Sequence, residues 1–125
     1  MRFGVLRLMA GGFAAVLASA PVHATGTAKE VADDCRALLA ANAPPQTFGV
    51  GLCVGGFTTL FTLSGIVDQH QVPILGFCRP PNVQYLDMVR VFLRHVDAHP
   101  ESAQVFYAVE AFNALVDAYP CKPKR

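Results

Sequence analysis

Apolar residues recur at helical spacing in three separate stretches of the chain, and a fourth stretch is apolar without any period. The first periodic set is Val31, Cys35, Leu38 and Leu39. It follows Thr27-Ala28-Lys29-Glu30, a capping box in which the threonine hydroxyl and the glutamate satisfy free N–H groups at a helix start. Pro44-Pro45 ends that helix, because neither proline donates a hydrogen bond and each restricts the residue before it. The second set is Leu86, Val89, Leu93 and Val96, widened by Tyr85, Met88 and Phe92, with Asn82 as the expected cap. His99-Pro100 breaks it, and Pro100 suits the first turn of a following helix. The third set is Val105, Ala108, Val109, Phe112, Leu115, Val116 and Tyr119, read as one core-facing stripe. Pro120 stops it, and the tail beyond Cys121 is expected to fray.

The stretch without a period is TFGVGLCVGGFTTLFTLSGIV, Thr47 to Val67, 21 residues with no charge. Its glycines, threonines and valines are poor helix formers. It lacks the alternation of a half-buried strand, and no second strand is available to satisfy its backbone. Its length and Gly51-x-x-x-Gly55 fit a membrane helix, yet that spacing lets any two helices approach closely. Three amphipathic helices need a shared core, so the stretch is expected to be a fourth, all-round apolar helix at its centre. The expected fold is therefore all-α, a small four-helix bundle.

The opening segment changes the compartment. Arg2 and Arg7 precede an apolar run from Leu8 to Ala20, and Val22-His23-Ala24 is a cleavage pattern. Residues 1–24 read as a secretory signal peptide and residues 25–125 as the mature domain, beginning at Thr25. The leader holds two of the ten basic residues and none of the nine acidic ones, so the mature chain balances at −1. Nucleic-acid binding is not expected without a basic face, nor is membrane attachment after cleavage. Cys35, Cys53, Cys78 and Cys121 all lie in the mature part. An even count in a small exported domain reads as two disulfides.

Residues equidistant from a helix-hairpin turn face each other. Cys35 and Cys53 are centred on Pro44, and Cys78 and Cys121 on His99-Pro100. That spacing favours Cys35–Cys53 with Cys78–Cys121. The set Cys53–Cys78 with Cys35–Cys121 stays open, since its inner pair is centred on Gly65-Ile66, also a plausible turn.

These residues carry a resemblance. Cys53-Val54-Gly55-Gly56-Phe57, Phe77-Cys78-Arg79-Pro80, Val89-x-x-x-Leu93 with His99-Pro100, and Ala114-Leu115 with Tyr119-Pro120-Cys121 resemble the Rap/Tai family of type VI secretion immunity proteins. The family pattern is C-x-G-Y-aliphatic-x-G, then F-C-x-P, then a closing aromatic-Pro-Cys. The chain departs from it at Gly56, where tyrosine is usual, and at Thr59, where glycine is common. The resemblance implies a small helical protein of the periplasm that binds a toxic effector, a peptidoglycan amidase in the best-known cases, and blocks its active site. No residue set looks catalytic, so no enzyme activity and no cofactor are expected. The expected partners are the cognate effector and, for assembly, a second copy in a homodimer.

Other chemistry is thin. His95-x-x-x-His99 places two imidazoles on one helix face, with no third ligand evident, so no metal is expected. Asp33 and Asp34 are adjacent and face apart on a helix. Neither Ser64 nor Ser102 sits in a nucleophile context. The segment DQHQVPILGF, residues 68–77, is more informative. It reads either as a lid over the core or as an apolar knob suited to a partner's cleft. In the second case Ile74 and Leu75 make contact, and Asp68, His70 and Gln71 form the polar rim. The competing function is a periplasmic chaperone or stress protein, disfavoured by the sparse charge.

Overall fold

A computed structural model describes residues 26–122. The expected signal peptide, residues 1–24, lies outside the described residues, as do Thr25 and the last three residues of the tail. The elements are α1 (Ala28–Ala40), α2 (Phe48–Leu63), α3 (Tyr85–Ala98) and α4 (Tyr107–Ala118), with a 3-10 turn at Pro100–Ser102. The all-α, four-helix, disulfide-tied fold is as expected.

The first turn of α1 is satisfied twice over. The Thr27 hydroxyl accepts from the Glu30 N–H at 3.3 Å, and the Glu30 carboxylate accepts from the Gly26 and Thr27 N–H groups, each at 3.1 Å. The Ala28 and Lys29 N–H groups donate to the carbonyls of Val105 and Ala103, at 2.7 and 3.0 Å. Tyr107 N–H returns a bond to Gly26 at 2.8 Å, so the starts of α1 and α4 are stitched together.

Phe57, Phe92, Met88, Leu115, Val31 and Val89 form the centre of the core, with Phe57 and Phe92 tilted at 5.4 Å between ring centroids. Each such side chain contributes roughly 1.5–3 kcal/mol by leaving water. The disulfides are Cys35–Cys53, which ties α1 to α2, and Cys78–Cys121, which ties the segment before α3 to the tail of α4. This is the pairing that the spacing favours.

Three expectations are corrected. Asn82 does not cap α3; Gln84 does, its N–H donating to Asp87 Oδ2 at 2.9 Å. Proline 100 opens a separate 3-10 turn, and α4 starts only at Tyr107. The buried face of α4 is Glu110, Ala111, Ala114 and Leu115, while Val105, Val109 and Phe112 are 38, 50 and 37% exposed. Buried Glu110 meets His95 of α3 at 3.1 Å, a polar tie that holds this face inward.

Helix α2 is also less central than its composition implies. Val50, Cys53 and Phe57 are buried, whereas Gly51, Gly55, Thr58, Thr59 and Thr62 lie exposed along the opposite face. The hydroxyls of Thr59 and Thr62 bond back to the carbonyls of Gly55 and Thr58, at 2.8 and 2.9 Å. Among the described residues no helix is long and apolar enough to cross a membrane. Nothing lies within 4 Å of a Cβ built at Gly51 or Gly55. Gly51→Ala and Gly55→Ala should each stabilise the fold by about 1 kcal/mol, read as a higher urea midpoint. At Gly56 a Cβ meets the Tyr107 hydroxyl at 2.9 Å. The ring of Tyr107 thus lies over the position where the family pattern has its own tyrosine.

Candidate partner-binding site

Between α2 and α3 the chain rises into a short hairpin. Val67 and Pro73 form an antiparallel bridge, with Ile74 N–H to Ile66 carbonyl at 3.1 Å and Asp68 N–H to Val72 carbonyl at 2.8 Å. The tip is a turn closed by Gln71 N–H to Asp68 carbonyl at 3.0 Å. Asp68 Oδ1 accepts from the N–H groups of His70 and Val72, at 2.8 and 2.9 Å. A side chain that satisfies two backbone donors in this way fixes the loop shape.

Gln71 completes the turn with φ of 60°, a left-handed conformation that costs a residue other than glycine about 1–2 kcal/mol. Gly76 supplies the second left-handed step, φ 72°, with its N–H bonded to the Pro73 carbonyl at 3.0 Å. Below it the exit is anchored to the C-terminal segment. Phe77 is fully buried and bridges to Pro120, Cys78 N–H meets the Tyr119 carbonyl at 2.8 Å, and Cys78 is bonded to Cys121.

The result is a rigid knob with an apolar coat. Ile66, Val67, Val72 and Ile74 are 45, 42, 45 and 51% exposed, an unusual density for one short loop. The expected residues divide. Ile74 points outward, and His70 and Gln71 are exposed at the tip. Leu75 is half-buried and packs against the core, so it roots the knob from below. Asp68 is exposed, but one carboxylate oxygen is committed to the loop's own backbone. Ile66 and Val67, on the rising arm, belong to the same coat and fell outside the expected segment.

The family model for Rap1a immunity proteins matches residues 27–121, from the cap of α1 to the last cysteine. The chain belongs to this family. Membership implies a type VI secretion immunity protein and suggests a non-enzymatic inhibitor that binds a cognate toxin. No curated protein and no solved structure matches the chain. The matched span contains all four cysteines and the whole knob.

The remaining candidate residues are occupied in holding the fold. His95 Nε2 is engaged by Glu110, and the His99 ring stacks on His95 at 4.2 Å between centroids. Asp33 is bridged by Lys29 and Arg36, at 2.8 Å each. The Lys29 hydrogen bond, helped by the charge of Arg36, holds the Asp33 carboxyl below its ordinary range. Asp34 instead lies against Gly49, where a Cβ would strike its carboxylate. The two carboxylates thus face different neighbours. Ser64 is buried and accepts a hydrogen bond from Arg79.

Proposed function

We propose that the chain is exported to the periplasm, where it inhibits a type VI secretion effector of the peptidoglycan amidase class by placing the knob in the enzyme's substrate cleft. The observation that carries this reading is the knob itself: four exposed aliphatic side chains on a loop whose backbone is already hydrogen-bonded. An inhibitor gains affinity when its contact surface is ordered before binding, because little ordering entropy is then lost in the complex. Most of the energy should sit in a few apolar side chains, with the tip amides and imidazole of Gln71 and His70 as rim. The two disulfides suit an oxidising compartment. A homodimer is a separate proposal, with the exposed Phe106, Val109 and Phe112 of the α4 region as its apolar face.

Co-expression tests the main reading. An amidase encoded beside this gene, directed to the periplasm, should lyse cells alone and be tolerated with the chain present. A stress operon in place of a toxin gene, with no rescue from any neighbouring enzyme, would favour the chaperone reading. Export is checked independently: mass spectrometry of the periplasmic fraction should find a mature N-terminus at Thr25.

A further inference from the structure

The knob has two feet, and one side chain joins them. The entry foot is Ser64, directly after α2, with its hydroxyl donating to the Phe61 carbonyl at 2.7 Å. The exit foot is Phe77-Cys78-Arg79. Arg79 reaches back across the base: Nε donates to Ser64 Oγ at 2.8 Å, and the guanidinium lies over the Phe61 ring at 4.1 Å from its centroid. Its Nη1 donates forward to the carbonyl of Val83 at 2.8 Å, and to Pro80 at 3.4 Å. One planar group thus touches the end of α2, the exit of the knob and the approach to α3.

We infer that Arg79 is a positioning residue, which holds the knob in its binding shape by clamping Ser64 and Phe61 to the Val83 carbonyl. This rests on the knob being the inhibitory surface. The clamp uses what only arginine offers: donors pointing in different directions in one plane, and a face that stacks on an aromatic ring. Lysine at this position keeps the charge and loses the geometry. The exit foot has the disulfide and two backbone links to hold it. The entry foot has the bonds of its own last helical turn, Ser64 and Ile66 N–H to the Leu60 and Leu63 carbonyls at 2.9 and 3.0 Å, so Arg79 is the side-chain tie that joins it to the exit foot at the base.

Hydrogen exchange on the full chain tests this without a partner. In Arg79→Lys the amides of Asp68, Val72 and Ile74 should exchange at least about tenfold faster, the effect expected for loss of one charge-assisted hydrogen bond. Amides of α1, α3 and α4 should remain the slowest to exchange, and the urea midpoint should fall by no more than this lost contact accounts for. Ser64→Ala should act in the same direction, and the two changes together should do less than the sum of the two alone, since the Arg79–Ser64 bond is common to both. Unchanged knob protection in Arg79→Lys overturns the inference. So does a loosened knob that still rescues cells from the toxin as well as wild type does. If Ile74→Asp also rescues, the inhibitory reading of the knob fails, whereas the exchange result stands on its own.

Discussion

Replacing Cys35 and Cys53 together by alanine is expected to remove a large part of the stability of this domain. The two cysteines are separated by 18 residues, and Cys78 and Cys121 by 43. Chain entropy alone puts the first staple at about 3 kcal/mol and the second at about 4. Burial reverses the order. Cys35 and Cys53 are fully buried in the core, so truncating both also leaves a void between α1 and α2, which adds roughly 1–2 kcal/mol. Cys78 is exposed, and its loss leaves no comparable gap. Against the 5–15 kcal/mol of a typical domain, loss of the buried staple is the more severe lesion. Urea denaturation of the two double variants measures this, with the lower midpoint expected for Cys35→Ala/Cys53→Ala. Loss of Cys78–Cys121 should instead act on the exit foot of the knob. Non-reducing peptide mapping should recover Cys35 joined to Cys53 and Cys78 joined to Cys121. A Cys53–Cys78 peptide would contradict this pairing and its energetics while leaving the four-helix fold in place.

Features written within one or two turns of chain could be read from the sequence. The Thr27–Glu30 box needs only a four-residue spacing, and both halves of it form. Pro120 ends the last helix for a purely local reason. The cysteine pairing was legible because a hairpin converts symmetry about a turn into proximity. The face of α4 was not. Its large apolar residues make a plausible stripe, yet the bundle buries Ala111 and Ala114 and leaves Val109 and Phe112 out. Small side chains let α4 lie close to α1 and α3, and the matching carboxylate, Glu110, finds its partner 15 residues away on α3. That choice depends on neighbours that a periodicity count cannot see. The knob divides in the same way. Its apolar content and its proline break are in the sequence, whereas its rigidity depends on Asp68 folding back on its own backbone and on Arg79 spanning the base. Leu75 and Ile74 are neighbours of equal hydrophobicity, and only the hairpin register sends one inward and the other out.

Ile74→Asp is expected to abolish protection while leaving the fold in place. The free chain already leaves this side chain 51% exposed, so substitution forfeits only part of one residue's burial, at most about 1 kcal/mol. Its backbone bond to Ile66 does not depend on the side chain. In the complex the balance differs. A carboxylate carried into an apolar cleft without a partner loses its hydration, at a cost of about 3 kcal/mol or more, which weakens binding a hundredfold or beyond. Ile74→Ala, which deletes contact without adding charge, should cost less, about 1–2 kcal/mol. The ordering Asp worse than Ala, at matched urea midpoints, separates a buried contact from a mere change in stability. Leu75→Asp is the counter-case: its side chain packs on the core, so it should lower the midpoint itself. Binding is read by titration against the cognate toxin, and protection by survival of co-expressing cells. If Ile74→Asp keeps both its fold and its protection, the knob does not enter the cleft, and the contact surface must be sought elsewhere, with the exposed α4 strip of Phe106, Val109 and Phe112 first.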